Sequence, residues 1–293
     1  NNLSYVLAVE QLAGIEAPER AKYIRVISAE LARISSHLMA TGFLLNDLGA
    51  FATPLMYCFR ERERILDLFE MLCGARITVS YMRPGGVLQD PPDDFWPALE
   101  RNIADLPQYI DELENLITGN EIVLTRTREV GTITAEHAIN ASITGPILRA
   151  AGVQWDIRRA HPYEIYDRLD FDIPIGAVGD TFDRYLVRIQ EMRESVKILR
   201  QCVDQIPNGP FRSETPFFMR ADEGDVYSGI EGPKGELGFY MVSDGGISPY
   251  RCKVRAPSFI NLTALRDMLV GWKMGDLITI FGSLDIVLGE VDR

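Results

Sequence analysis

The chain has 293 residues, 46% of them hydrophobic, and a formal net charge of −12, enough material for a sizeable core in one large domain or two modest ones. The acidic balance argues against nucleic acid as a partner, because phosphate binding asks for a basic face. No stretch approaches the ~20 consecutive apolar residues of a membrane-spanning helix, so none is expected to cross a membrane.

The first residues, "NNLSYVLAVEQLAG", read as a helix entered midway, so further N-terminal residues are expected to precede them. Residues 17–50 predict a long amphipathic helix. Ile24, Ile27, Leu31, Ile34 and Leu38 recur at three- and four-residue steps, Pro18 suits the first turn, and Gly49 suits the stop. A second helix is predicted over 57–73, with charge pairs in "RERER", a stripe of Ile65, Leu68, Phe69 and Leu72, and Gly74 at its end. A third covers 93–118, with Pro107 inside it as an expected kink. A fourth covers 179–206, N-capped by Asp180, and keeps helical period from Phe182 to Val203. Four such stripes can be buried only against one another, so the core is expected to be a helical bundle.

The remainder is different in kind. Residues 207–234 are rich in Pro, Gly and charge and are expected to form a mobile loop. Residues 235–257 alternate and turn at Asp244-Gly245-Gly246, which predicts a β-hairpin. "SFINLTALRDMLV" then predicts a helix capped near Asn261, followed by "MGDLITIFGSL". The organisation expected is a bundle over 1–206, a loop and hairpin over 207–257, and C-terminal helices with a buried tail over 258–293, all in one domain.

Few residues advertise chemistry. Cys58, Cys73, Cys202 and Cys252 form no CxxC pair, and no HxxxH or HxH pairing exists, so no metal site is expected. The thiols are expected to be free and buried. His37, near the apolar stripe of its helix, is expected to be a hydrogen-bonded packing residue. "GPKGELG" lacks the GK[ST] ending of a phosphate loop and reads as a turn entering a strand. Asp47 ends the first long helix, where the macrodipole disfavours an acid. Set among Leu44, Leu45 and Leu48, its carboxyl is expected to be partly desolvated and to titrate high. Arg far outnumbers Lys, and Arg is favoured in buried or interfacial ion pairs, which points to a chain working inside an assembly.

Longer blocks carry a resemblance. "LAVEQLAGIEAPERAKYIRVISAELARISSHL", "DLGAFATPLMYCFRERERILDLFE", "LRAAGVQWDIRRAHPYEIYD", "GDTFDRYLVRIQEMRES", "APSFINL" and "SLDIVLGEVDR" together resemble the D-subunit family of NADH:quinone oxidoreductase, respiratory complex I, in order over nearly the whole chain. That family is similar in fold to the large subunit of nickel–iron hydrogenases, which implies a mainly α, long-helix bundle with a small peripheral β-hairpin region. Hydrogenases end in Asp-Pro-Cys-x-x-Cys, whose thiolates hold nickel and iron. Here Asp285 matches, Ile286 replaces the proline, and Val287 and Glu290 replace the cysteines. An aliphatic side chain cannot serve as a soft thiolate ligand, so no nickel–iron site is expected.

The resemblance implies a subunit that walls the site of quinone reduction beside a 4Fe-4S cluster held by a neighbouring protein of the complex. It implies quinone as substrate and no metal or flavin on this chain. Its partners would be the iron–sulfur B subunit, the C subunit and the membrane H subunit, and its place the peripheral arm. That arm lies on the cytoplasmic side of a prokaryotic inner membrane or the mitochondrial matrix side. It implies Val287 on the quinone-cavity wall and Asp47 as proton-relay partner of a histidine that this chain does not contain. Thr78 stands where some relatives carry a histidine near the cluster, and the 210–230 loop is shorter than in relatives. Alternatives are a D-type member of a deazaflavin- or ferredoxin-driven quinone or methanophenazine reductase, or a scaffold without a site. The tail is expected to be buried, with Val287 facing the cavity and Arg293 held in an ion pair.

Overall fold

The computed structural model describes residues 1–50, 53–216 and 218–292. Its elements in chain order begin with α1 (Asn2–Ala13), α2 (Glu19–Asp47), α3 (Thr53–Cys73), a two-residue ladder β1 (Met82–Arg83) with β2 (Gly86–Val87), and α4 (Phe95–Ile117). Short helices α5 (Glu121–Thr127), α6 (Ala135–Asn140), α7 (Pro146–Ala150) and α8 (Ile157–Ala160) lead to α9 (Thr181–Gln205). Strands β3 (Gly224–Gly232), β4 (Gly235–Ser243) and β5 (Arg251–Arg255) follow, then α10 (Pro257–Asn261), α11 (Leu265–Leu269), α12 (Met274–Ser283) and α13 (Leu288–Val291).

The four predicted long helices are α2, α3, α4 and α9, and they pack together as expected, with α2 against both α3 and α9. The predicted stripe of α2 is fully internal, and Ile65, Leu68, Phe69 and Leu72 of α3 meet it in the main core cluster. Each such side chain contributes about 1.5–3 kcal/mol by leaving water. Gly42 lets α2 and α3 approach closely, since a Cβ there would stand 3.0 Å from Leu55 and 3.1 Å from Cys58. Gly74 ends α3 with φ 71°, and Asp180 caps α9 by accepting from the Asp183 N–H. Pro107 lies inside α4, which continues on both sides of it.

The sheet departs from expectation in extent. The antiparallel hairpin β4–β5 forms as predicted. Residues 224–232, expected to belong to a mobile loop, instead form β3, which pairs with β4 along its full length and makes the sheet three-stranded. Alternation in β3 is masked by Gly224, Gly229 and Gly232, and its inner half is buried because α1 covers it. The helix expected after residue 258 is broken into α10, a 3-10 turn and α11. Asn261 caps nothing: its side chain accepts from the Thr144 N–H and donates to the Lys234 carbonyl. Cys58 and Cys202 are buried free thiols, but Cys252, on edge strand β5, is exposed, contrary to expectation.

A second feature of α2 goes beyond an amphipathic helix. Its polar face is buried as well, because α9 and the α8 segment close over it. Glu30 accepts from Arg33 Nε at 3.2 Å, Arg158 Nη1 at 3.1 Å, Tyr166 Oη at 2.6 Å and Ser195 Oγ at 2.6 Å. Arg158 continues to Asp156 in a two-pronged pair, Nε to Oδ1 at 3.0 Å and Nη2 to Oδ2 at 2.7 Å. Arg149 joins Glu191 at 2.7 Å to Glu231 at 2.8 Å. All seven ionic side chains in this chain of contacts are almost fully shielded from water. His37 is the packing residue expected: its Nε2 lies 2.7 Å from Glu191 Oε2. Burial lowers its pKa, so the imidazole is neutral and donates Nε2–H to the carboxylate.

Burial alone would raise the Asp156 pKa, but Arg158 and then Arg149 outweigh it and bring the carboxyl from 3.8 to about 2. A depressed pKa contributes stability that is full above the ordinary value and lost as pH falls through the depressed one. Acid unfolding is therefore expected to steepen between about pH 4 and 2. Asp156→Asn, which leaves two buried guanidinium groups short of a counter-charge, should cost about 3–5 kcal/mol in denaturant unfolding and flatten that acid limb.

Candidate functional site

The two residues singled out as a site sit at opposite ends of one short joint. Asp47 is the last residue of α2. Leu44, Leu45 and Leu48 around it are buried, as expected, but Asp47 itself is exposed. Partial desolvation still raises its pKa, as expected from its setting. Its Oδ2 faces Gly282 near the end of α12: a Cβ at Gly282 would stand 3.4 Å from it.

From Gly282 the chain passes through Ser283 and Leu284 to Asp285, whose φ of 55° turns it sharply. The turn is held from behind by α9. Arg184 donates Nε to Ser283 Oγ at 2.9 Å, and Arg188 donates Nη2 to the Ser283 carbonyl at 2.8 Å, capping α12. Burial lowers the pKa of both guanidinium groups, Arg184 to about 9. In front, Lys234 of the β3–β4 turn reaches Asp285 Oδ1 at 2.5 Å. That turn is seated by Gly235, φ 135°, where a Cβ would collide with Thr144 Oγ1 at 2.6 Å. "GPKGELG" is thus a turn entering a strand, as read from sequence, and also the carrier of a charged side chain.

Beyond Asp285 the tail is tied but not buried. The Val287 N–H donates to Ser258 Oγ at 3.2 Å, the Ser258 N–H donates to Glu290 Oε2 at 3.2 Å, and Ser258 Oγ also donates to Glu290. Yet Val287 is 38% exposed and Leu288 73% exposed, so the expected burial of the tail does not hold. In the tail from Ser283 only Ser283, Leu284 and Asp285 are buried, because α9 and Lys234 cover the joint, whereas among the described residues 286–292 is covered only in part, by α10 and the adjoining core. Arg293, expected in an ion pair, lies outside the described residues.

Val287 does line a cavity of about 500 Å³, with Lys234, Leu237, Phe239, Val254 and Glu290. Asp47 is not among its lining residues. A neighbouring cavity of about 480 Å³ is lined by Arg33, Arg62, Thr78 and Glu231, among others, and shares Asn1, Gly232, Pro233 and Leu237 with the first. Its shared wall is the β3–β4 turn. Among the described residues, no group of three or more His, Cys, Asp or Glu side chains is arranged to hold a metal ion. None of their helices is long and apolar enough to cross a membrane.

The family described as "Respiratory-chain NADH dehydrogenase, 49 Kd subunit" matches residues 47–223 and 217–293. The chain belongs to this family. The D subunit of NADH-quinone oxidoreductase from Dehalococcoides mccartyi is 60% identical over 293 residues, all of this chain and 80% of that protein. The D subunit numbered 1 from Roseiflexus sp. is 54% identical over 301 residues, with the same coverage. The D subunit numbered 2 from Rhizobium meliloti is 49% identical over 319 residues, covering all of this chain and 79% of that protein.

Sequence reasoning missed Lys234, Ser258 and Arg188 as parts of this member's joint. Arg188 had a signal: with Arg184, Glu191 and Ser195 it forms a polar row at four- and three-residue steps on a helix whose remaining inner face is apolar. If the Ser258 hydroxyl ties the tail, Ser258→Ala should free the Val287 N–H and remove one of the two hydrogen bonds to Glu290, leaving the one from the residue 258 N–H. Amide exchange over 286–292 should then quicken by about tenfold or more, the equivalent of one or two lost hydrogen bonds, while exchange in α9 stays unchanged.

Proposed function

We propose that this chain is the part of a proton-pumping NADH:quinone oxidoreductase that walls the site of quinone reduction. The observation that carries the reading is the cavity at the tail. It is lined by Val287, Leu237, Phe239 and Val254 with two charged groups, Lys234 and Glu290, at its edge. A mostly apolar cleft with a few convergent polar groups suits a quinone headgroup. The positions where a hydrogenase would place thiolates are here Val287 and Glu290, so the cleft is suited to an organic substrate in place of a metal cluster. The relatives are D subunits of NADH-quinone oxidoreductase, which favours NADH-driven input over the deazaflavin- and ferredoxin-driven alternatives.

On this reading electrons reach the quinone from a 4Fe-4S cluster in the adjacent B subunit, on the side of the Thr78 cavity. The C subunit and the membrane H subunit would complete the surroundings, with the chain in the peripheral arm on the cytoplasmic or matrix side. The chain's own part is positioning and protons. Reduction builds negative charge on the quinone oxygens, and positioned donors stabilise that charge. Asp47, its pKa raised by partial desolvation, would back a histidine that is not among the residues of this chain. Loss of the histidine proton would leave the Asp47 charge without a partner, and the joint beyond Gly282 is the element positioned to respond. The exposed tail and the apolar side chains Val270, Met274 and Ile278 would be covered in the assembly.

In the intact complex, Asp47→Asn should lower quinone reductase turnover by about tenfold or more with normal assembly. Val287→Phe should raise the KM for quinone with a smaller change in kcat. Normal quinone kinetics in both variants would overturn the reading.

A further inference from the structure

Two buried atoms at the joint face each other without partners. Arg188 Nε and Asp285 Oδ2 have no hydrogen bond, and they stand 4.0 Å apart. Each residue is otherwise engaged. Arg188 gives Nη2 to the Ser283 carbonyl and Nη1 to the Arg184 carbonyl. Asp285 accepts from Lys234 at Oδ1. A charge-assisted hydrogen bond needs about 2.7–2.9 Å, so the pair stops roughly one ångström short of closing. A buried guanidinium N–H and a buried carboxylate oxygen left open each carry a desolvation cost of about 1–3 kcal/mol. Asp285 therefore has two cationic neighbours, Lys234 bonded at Oδ1 and Arg188 standing open opposite Oδ2.

Only the first of those cations borders the cavity. Lys234 lines it together with Val287, whereas Arg188 lies behind the tail and is buried. In the ion pairs of the described residues, Asp285 is the single carboxylate joined to either cation. Two positive charges thus flank the Asp285 carboxylate, with Glu290 on the cavity wall and Glu191 farther along α9 as the other acids nearby. Negative charge that appears in the cavity competes with Asp285 for the Lys234 ammonium. The carboxylate that Lys234 releases has a second cation already within reach, and the left-handed turn at Asp285 is the hinge on which Val287 hangs, two residues on.

We propose that Arg188 is a positioning residue of this cavity: it holds a second place for Asp285, so that the carboxylate shifts from Lys234 to Arg188 when a ligand oxygen gains negative charge, resetting Val287. The inference rests on the quinone-site reading. It adds a residue that touches no substrate and acts through Asp285.

The test uses the intact complex with quinone as acceptor, and complex content is measured by native electrophoresis. Arg188→Gln, which removes the charge, should raise the quinone KM about tenfold. Arg188→Lys, which keeps a cation but loses the cap on Ser283, should return KM to within about twofold of the parent. Asp285→Asn should match Arg188→Gln, and the double variant should be no worse than the poorer single one. The proposal is overturned by an unchanged KM in Arg188→Gln, by multiplicative losses in the double variant, or by equal failure of assembly in the Gln and Lys variants, which marks a purely structural cap. If Asp47→Asn and Val287→Phe alter quinone kinetics while Arg188→Gln does not, only this inference falls. If none of them does, the quinone-site reading falls with it.

Discussion

The structure depends on a file of buried charges between α2 and α9. Glu30, Arg33 and His37 of one helix face Glu191 and Ser195 of the other, and Arg149, Asp156, Arg158 and Glu231 close the file from the sides. Dehydrating each of these ions costs several kcal/mol, and only near-complete pairing offsets it. The two helices are therefore locked in register. A slide of one turn would leave charges unpaired in the interior, a far larger penalty than any single lost apolar contact. The apolar stripes of α2, α3, α4 and α9 supply the cohesion of the bundle, and the charges decide how its halves align.

The same file extends to the candidate site. Arg184 and Arg188 continue the polar row of α9 past Glu191, but their hydrogen bonds go to backbone and hydroxyl oxygens, with the Asp285 carboxylate 4.0 Å from Arg188. They hold the last turn of α12 against the bundle, and through Ser283 they fix where Asp285 turns. The site inherits its rigidity from the core on that side and lies open on the other, where Val287 and Leu288 face outward. A half-rigid, half-open cleft suits a subunit whose site is completed by others.

Much of the fold was legible because period-3.6 apolar stripes are local, and so are Asp180, Gly49 and Gly74 at helix ends. β3 was not: three glycines interrupt its alternation, and its strand character comes from pairing with β4 and cover from α1. His37 was read correctly as a packing residue, since a lone histidine beside an apolar stripe has few other options. The tail was misread. Its apolar and acidic residues suggested burial, and Asp285 and Glu290 are indeed engaged, by Lys234 and Ser258. Engagement and burial are separate properties, and sequence pattern reports only the first.

By itself the sequence determined the family, the four long helices and the absence of any cysteine from the tail. Helical period is set by near neighbours, and a ligand's chemistry is set by its residue type. Tertiary structure alone decided which arginines are buried, that Lys234 and Arg188 flank one carboxylate, and that Asp47 abuts Gly282, where the turn toward Val287 begins. Those facts join residues far apart in the chain, brought together by helix crossings and strand pairing that no local pattern encodes. Charge becomes a constraint on geometry only once water is excluded, and only the folded chain excludes it.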